Sequence, residues 1–218
     1  MHLDGATPIV LATANPKKVG ELRAILAAIG MEIESLADRA GSTTEPEENG
    51  TTFEANAAIK AVGYAAQTGR WCLADDSGLE IDALGGAPGV ISSHYSTDGV
   101  ETGMTRAERD AANNARVLRE LDGVAADART ARFVCVMTLA SPAGDVIASS
   151  RGTFEGAIGL PGDVPRGRNG FGYDPLFLVA PDLAITSAEL DAASKNALSH
   201  RGEAARSIAD QIARLRGA

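Results

Sequence analysis

The sequence predicts an α/β fold, with a central mixed, twisted sheet flanked by helices in a single domain of two lobes. The chain has 218 residues, which is enough for one full hydrophobic core and short for two independent domains. Patterns typical of strands and of helices follow one another along it. Neither an internal repeat nor a linker-like stretch divides the chain, so we expect its elements to belong to one domain.

The first elements are a strand, a tight turn and a helix. Residues 8–14 are largely apolar, as in a buried strand, and Asn15 and Pro16 supply a helix cap and a first-turn proline. Apolar residues then recur every three or four positions until Gly30, which ends the helix. The residues on this helix face are Val19, Leu22, Leu26 and Ile29.

Polar and apolar segments alternate in the next part of the chain. A second strand is expected at 32–36, and the acidic, turn-rich residues 40–50 predict an exposed loop. Residues 52–68 have a helical pattern. The apolar run at 71–74 predicts a short buried strand that ends at the polar sequence DDSG, residues 75–78.

The second half of the chain is predicted to contain strands, helices and one flexible segment. The density of β-branched residues at 132–139 is the clearest strand pattern, and the turn sequence PAGD at 142–145 favours a hairpin. The other elements expected are a short strand and a loop at 79–98, an amphipathic helix at 105–121, the hairpin partner at 146–154, a flexible segment without regular structure at 156–172, a strand at 176–179 and a C-terminal helix whose apolar face contains Ala205, Ile208, Ile212 and Leu215.

Composition and charge exclude several classes of protein. The chain has 20 Lys and Arg against 29 Asp and Glu, a formal net charge of -9, so its field repels nucleic acid polymers at long range but does not exclude a small anionic ligand. With no 18-residue apolar run and no signal-peptide pattern, we expect a cytoplasmic protein without a membrane partner. Cys72 and Cys135 have neither metal-site nor disulfide-framework spacing, and we expect both to be buried.

Two polar stretches have the chemistry of a phosphate site and of a metal site. At 13–18 (TANPKK) a strand end meets a helix N-terminus, whose N–H groups and dipole suit phosphate, although a solvated helix start explains this stretch equally well. Asp75 and Asp76 follow a buried strand, where Mg²⁺ would compensate their desolvation and repulsion. For an isolated DDSG, a solvated Asx turn is the better explanation.

Three other stretches offer ligands or recognition groups. The acidic loop with Glu45, Glu47 and Glu48 is able to bring a further oxygen ligand to the same ion, and Lys60 faces either a phosphate or one of these acids. Aromatic residues make up only 4% of the chain, so Phe171 and Tyr173 on either side of Gly172 suggest stacking on a planar ligand, although core packing is the commoner fate of a tyrosine. Lys195 and the SHRG sequence at 199–202 are suited to reading a base edge or a phosphate, although charges at a helix start are usually just solvated.

Together these motifs resemble those of the inosine triphosphate pyrophosphatase family, also called the dITP/XTP or non-standard purine NTP pyrophosphatases. The resemblance covers essentially the whole chain, in order. One departure is that the first loop has Ala14 to Lys17 where family members often carry glycine. The matching motifs are TANPKK at 13–18, FEANA with Lys60, ADDSGLEIDALGGAPGV at 74–90, FGYDPLF at 171–177 and SHRG at 199–202.

The resemblance implies a specific activity for the chain. Residues 1–218 would form one nucleoside triphosphate pyrophosphatase domain, with an active cleft between two lobes. The domain would hydrolyse ITP, dITP or XTP to the monophosphate and pyrophosphate with Mg²⁺, cleansing the nucleotide pool, and would act as a homodimer. Two alternatives stay open: a related pyrophosphatase for a pyrimidine or methylated nucleotide, and a nucleotide-binding regulator without turnover.

The resemblance also implies roles for individual residues. Asp76 would bind Mg²⁺ and orient or deprotonate the attacking water, Asp75 would support it electrostatically, and Lys60 would contact phosphate. Glu48 would be the second metal ligand, with the adjacent Glu47 as the alternative. Substrate contacts, gathered by folding into a site positive toward a nucleotide, would come from Thr13, Ala14, Asn15, Pro16, Lys17, Lys18, Ser77, Phe171, Gly172, Tyr173, Asp174, Lys195, His200 and Arg201.

Overall fold

The fold contains six strands and five α-helices within the residues that the structure describes. This computed structural model describes residues 3, 8–13, 15–28, 30–36 and 43–217, with only the backbone of Pro16 and Lys17. The strands are β1 (Ile9–Leu11), β2 (Ile33–Ser35), β3 (Trp71–Ile81), β4 (Thr130–Ala140), β5 (Val146–Ile158) and β6 (Phe177–Val179). The helices are α1 (Pro16–Ala28), α2 (Phe53–Thr68), α3 (Arg106–Glu120), α4 (Ala192–Leu198) and α5 (His200–Arg216).

The strands form one sheet in the order β2-β1-β3-β4-β5-β6. β1 is parallel to β2 and to β3, whereas β5 and β6 are antiparallel. The predicted α/β fold with a mixed sheet and flanking helices is therefore confirmed. The hairpin turn predicted at 142–145 joins β4 to β5, where the Ser141 N–H donates to the Asp145 carbonyl at 2.9 Å.

The chain divides into two compact units, each built from separate segments. Unit 1 comprises Met1–Asp76, Cys135–Gly152 and His200–Ala218, and unit 2 comprises Ser77–Val134 and Thr153–Ser199. Strands β3, β4 and β5 each contribute residues to both units. The expectation that residues 1–218 act as one catalytic domain stays a prediction.

In unit 1, the alternation of β-strand side chains buries both faces of β1 and β3. One face packs with apolar side chains of α1 and α5, and its strand residues are Ile9, Leu11, Trp71 and Leu73. The opposite face packs with side chains of α2, and its strand residues are Val10, Ala12, Cys72 and Ala74. Because consecutive strand residues point to opposite faces, Asp75 continues the first face and Asp76 the second.

Unit 2 has its own apolar core. Phe177 lies at its centre, with its ring centroid 4.6 Å from that of Phe133 and 5.4 Å from that of Phe154. Arg129 is also buried there, and its guanidinium donates to the carbonyls of Leu121, Val124 and Gly159. A charged side chain that satisfies three carbonyls fixes the end of α3 and the end of β5 to the same point.

Some sequence-based boundaries were wrong. The strand predicted to stop before DDSG continues to Ile81, since β3 spans Trp71–Ile81. The segment at 156–172 was expected to lack regular structure, but β5 extends to Ile158. Lys195 lies in a separate short helix, α4, just before the last helix.

The burial of both cysteines agrees with the prediction. Cys72 and Cys135 are both buried and form no disulfide, and burial raises the pKa of the Cys135 thiol well above its ordinary value. Within the described residues, no helix is both long and apolar enough to span a membrane.

Candidate active site

The two aspartates of DDSG lie inside β3 and are among the most buried charged residues of unit 1. Asp75 is 2% exposed and Asp76 is 6% exposed. A buried carboxylate is costly unless cations or hydrogen bonds compensate it. The alternation of β3 side chains gives each aspartate a different set of partners, so the pair can serve two separate tasks.

Asp75 faces α1 and α5. Lys18 Nζ lies 2.9 Å from Asp75 Oδ2, and Arg201 Nε lies 3.9 Å from the same oxygen. Burial by itself raises the pKa of Asp75, but Lys18, Arg201 and Lys60 outweigh it and lower that pKa to about 2. Asp75 therefore stays a carboxylate that holds cations from two helices against the strand.

Asp76 faces α2. Lys60 Nζ lies 2.9 Å from Asp76 Oδ1 and also 2.9 Å from Glu48 Oε2, so one ammonium holds both carboxylates. Burial raises the pKa of Asp76, and the nearby lysines offset this only in part. Burial alone lowers the pKa of Lys60, but Asp76, Asp75 and Glu48 together raise it above its ordinary value, which keeps Lys60 charged.

The structure brings the predicted metal ligands together. The second oxygen of Asp76, Oδ2, is buried and has no hydrogen-bond partner in the described part of the chain. Glu48 meets the same lysine as Asp76, whereas no ion pair or hydrogen bond involves the exposed Glu47 among the described residues. The described residues include no group of three or more His, Cys, Asp or Glu side chains that fits a metal ion. Two carboxylates suffice for Mg²⁺, which completes its shell with water and substrate phosphates.

The charges in this cluster are close to balanced without a metal ion. Its described ion pairs contain three cations, Lys18, Lys60 and Arg201, and four carboxylates, those of Glu21, Glu48, Asp75 and Asp76. The positive site that we expected includes Mg²⁺, so its sign stays a prediction. One added divalent cation would reverse the sign, which favours a site completed by a metal ion.

The predicted phosphate corner forms at the start of α1. Pro16 is the first helical residue, as expected, and the Thr13 hydroxyl accepts a hydrogen bond from the Asn15 N–H at 3.2 Å. Lys18 is the member of this corner that reaches Asp75. Ala14 lies outside the described residues, and the side chains of Pro16 and Lys17 are not described.

In unit 2, Asp174 organises the loop predicted to contact a base. Its Oδ2 lies 2.5 Å from Lys195 Nζ and accepts the Phe171 N–H at 2.8 Å, and its Oδ1 accepts the Ser187 hydroxyl at 2.9 Å. Gly170 precedes this loop with φ +75°, and a Cβ there would collide with the Asp174 carboxylate and the Lys195 ammonium. Only glycine lets the backbone approach this ion pair so closely.

Phe171 and Tyr173 have different environments, although the sequence predicted stacking for both. Phe171 is half-buried, with the Arg106 guanidinium carbon 4.7 Å from its ring centroid. Tyr173 is 4% exposed, packs in the unit 2 core and donates its hydroxyl to the Ser92 carbonyl at 2.7 Å. Tyr173 therefore packs in the unit 2 core, the alternative that the sequence left open, and its contact with substrate stays a prediction. Ser77 is half-buried in β3.

His200 and Arg201 begin α5, where Gly152 of β5 packs against the helix backbone. Both side chains are buried, and Arg201 Nη1 donates to Glu21 Oε2 at 2.9 Å. A Cβ on Gly152 would lie 2.6 Å from the Ala204 amide nitrogen and would also overlap the His200 carbonyl oxygen. The start of α5 therefore keeps its position only with glycine at 152.

We expect Gly152→Ala to displace the start of α5 and to destabilise the protein by about 1–3 kcal/mol, the usual cost of overpacking against rigid backbone. Urea unfolding measures this change. Gly20→Ala is the matched control, because a Cβ at the exposed Gly20 of α1 meets nothing within 4 Å and helix propensity favours alanine. Equal midpoints for the two variants would contradict the close contact.

Several residues of these clusters were not predicted. Glu21 pairs with Arg201, and α3 contacts the Phe171 loop through Arg106, Asp110 and Asn114. For α3 the available signal was the four-residue spacing of these polar side chains along the helix. No local pattern around Glu21 reveals its partner, which lies 180 positions away.

Comparison with known proteins places this chain in a family. The sequence model described as the Ham1 family matches residues 9–211. The chain belongs to the Ham1 family. A Ham1 protein from Coxiella burnetii has a solved structure with TM-score 0.79 and 39% sequence identity, covering 95% of this chain and 99% of that one.

Two relatives with named activities support the same assignment. The protein named dITP/XTP pyrophosphatase of Exiguobacterium sibiricum is 48% identical over 200 residues, 92% of this chain and 94% of the relative. The protein of the same name from Nitratidesulfovibrio vulgaris is 50% identical over 200 residues, 92% of this chain and 93% of the relative. The sequence resemblance to the inosine triphosphate pyrophosphatases is thereby confirmed at the level of the family.

Proposed function

We propose that this protein hydrolyses ITP, dITP and XTP between the α and β phosphorus atoms, releasing the nucleoside monophosphate and pyrophosphate in a Mg²⁺-dependent reaction. The enzyme class, a nucleoside triphosphate pyrophosphatase, follows from the Ham1 relatives. The observation that carries the finer proposal is the aspartate pair of β3, in which Asp76 keeps a buried carboxylate oxygen without a partner among the described residues.

Asp76 and Glu48 are the residues proposed to hold Mg²⁺. Their shared contact with Lys60 keeps the two carboxylates together, and their oxygen donors are of the kind that Mg²⁺ prefers. When bound, Mg²⁺ supplies Lewis-acid stabilisation of phosphate charge and lowers the pKa of a coordinated water. Asp76 is proposed to orient the attacking water through Oδ2, the oxygen that has no partner among the described residues.

Cations and helix N–H groups are proposed to bind the triphosphate. Lys18 and Lys60 both form ion pairs with the aspartate pair. The N-terminus of α1 adds N–H groups and a positive dipole end. Charge grows on the bridging oxygen as the bond breaks, so these groups stabilise the transition state more than the ground state.

The base is proposed to be recognised by the loop around Phe171 together with Lys195, His200 and Arg201. A 6-keto purine presents an acceptor where adenine presents an amino donor. A protein N–H at that position matches the keto oxygen, and adenine is penalised by about 1–3 kcal/mol for the unmatched pair. The proposed preference for inosine and xanthine nucleotides over adenine nucleotides follows from this mismatch.

Pyrophosphate release from a panel of nucleoside triphosphates, with and without Mg²⁺, tests the proposal. We expect ITP, dITP and XTP to be hydrolysed much faster than ATP, which carries a 6-amino group, and only with the metal. Faster hydrolysis of dTTP or UTP would overturn the substrate assignment in favour of a pyrimidine pyrophosphatase. Nucleotide binding without any turnover would indicate a regulator instead of an enzyme.

Two variants at adjacent positions decide which glutamate serves the metal. We expect Glu48→Gln to lower kcat/KM for dITP by about 10- to 100-fold, the range usual for groups that support a bound metal, and to raise the Mg²⁺ concentration needed for half-maximal activity. Glu47→Gln is the matched control and should behave as the parent, because among the described residues Glu48 pairs with Lys60 and Glu47 does not. The reverse order of effects would assign the role to Glu47.

The proposal also includes a homodimer acting in the cytoplasm. Light scattering coupled to gel filtration of the purified protein tests the oligomeric state, and a mass of one chain at working concentration would remove this part.

A further inference from the structure

One side of α3 presents polar side chains to the loop that contains Phe171 and Gly172. Arg106, Asp110 and Asn114 are each four residues apart in this helix, so they follow one another along a single stripe of its surface. All of these residues belong to unit 2. The apolar contacts of α3 with the core come from other positions, among them Val117.

Two side chains of α3 satisfy both backbone polar groups of Gly172. Asp110 Oδ2 accepts the Gly172 N–H at 3.0 Å, and Asn114 Nδ2 donates to the Gly172 carbonyl at 3.1 Å. Gly172 has φ +63°, in the left-handed region. A loop residue in that conformation takes no part in the regular backbone hydrogen bonds of a strand or helix. The hydrogen bonds from these two side chains therefore fix its position.

The third side chain, Arg106, contacts the aromatic ring itself. Its guanidinium carbon lies 4.7 Å from the Phe171 ring centroid, and Lys195 Nζ lies 5.6 Å from that centroid. Arg106 Nε is also 3.6 Å from Asp110 Oδ1, so the cation that contacts the ring is linked to the carboxylate that holds the next residue. Guanidinium groups favour such positions over aromatic faces.

We propose that α3 is a clamp that positions Phe171 for base recognition, with Arg106, Asp110 and Asn114 as positioning residues that sharpen the preference for 6-keto purines. This inference rests on the proposed function, in which the Phe171 loop contacts the base. The clamp acts through the loop, and the aspartate pair of β3 carries the reaction itself. Loss of the clamp therefore weakens base binding and selectivity while the chemical step is preserved.

Amide hydrogen exchange of Gly172 tests the clamp without any substrate. We expect Asp110→Ala to speed exchange of this amide by about tenfold or more, because its acceptor is removed. Asp110→Asn keeps an oxygen acceptor and should restore most of the protection. Arg119→Ala, at an exposed position of the same helix, is the control and should leave exchange at the parental rate.

Steady-state kinetics with dITP and dATP test the consequence for recognition. For Asp110→Ala and Asn114→Ala we expect KM for dITP to rise about tenfold while kcat changes little, the pattern of lost binding that is common to ground and transition states. The ratio of kcat/KM for dITP over dATP should fall by a similar factor, about tenfold. Arg106→Gln should shift KM in the same direction.

The outcomes separate the clamp from the proposed function. Unchanged Gly172 exchange in Asp110→Ala overturns the clamp, and faster exchange with an unchanged dITP to dATP ratio overturns its role in selectivity. A loss of kcat as large as that of Asp76→Asn also overturns the positioning role of α3, because that role predicts a change in KM. If the parent protein hydrolyses no dITP, the proposed function fails, and the exchange result alone decides whether α3 holds the loop.

Discussion

Asp76→Asn is expected to lower kcat for dITP hydrolysis by about 10³-fold, in the range of losses for a removed acid–base or water-orienting group. The change removes the charge that a metal ion needs and replaces the Oδ2 acceptor, which has no partner in the described part of the chain, while the side-chain volume is nearly the same. Lys60 keeps Glu48 as its partner, so the variant should still fold. Pyrophosphate release at saturating dITP and Mg²⁺ measures the loss.

Two measurements make this result specific. Calorimetric titration should show that ITP still binds to Asp76→Asn, which separates an enzyme from a nucleotide-binding regulator. Asp210→Asn, at an exposed position in unit 1, makes the same chemical change away from β3 and should retain parental activity. Turnover by Asp76→Asn at the parental rate would remove Asp76 from the mechanism.

The alternation of strand side chains explains why the site was only partly predictable. Sequence reasoning identified Asp75 and Asp76 but ended the strand before them, because polar residues rarely continue a buried strand. The strand continues because Lys18, Lys60 and Arg201 supply compensating charge from three helices. These partners are distant in sequence, so no window of local sequence contains both sides of the interaction.

The same limit applies to the Phe171 loop. Its glycines and its aspartate were recognised from the sequence, and the aromatic content of the chain made Phe171 and Tyr173 conspicuous. Tyr173 is buried and Phe171 is half-buried, and this difference depends on which side of the loop packs against the unit 2 core. The α3 helix was predicted from its amphipathic pattern. The hydrogen bond between Asp110 and Gly172, however, joins residues 62 positions apart, so it forms only through tertiary packing.

Arg129 shows what composition and pattern miss altogether. It is 2% exposed, yet its sequence context is an ordinary polar turn before β4. We expect Arg129→Met to destabilise the protein by about 3 kcal/mol or more, because three buried carbonyls lose their donors at roughly 1 kcal/mol or more each. For a chain of this size that corresponds to a Tm lower by about 6–12 °C.

Urea unfolding of Arg129→Met, Arg129→Lys and Arg119→Met distinguishes the geometry of the donors from the charge. The guanidinium donates to the carbonyls of Leu121 at 2.6 Å, Val124 at 3.0 Å and Gly159 at 3.1 Å, each from a different nitrogen. Lysine carries its donors on a single atom and cannot span the same acceptors, so Arg129→Lys should lose most of the same stability. Arg119 is exposed, and its change to Met should stay within about 0.5 kcal/mol of the parent. If Arg129→Lys were as stable as the parent, the positive charge, and not the arrangement of the guanidinium donors, would hold the end of α3 to β5.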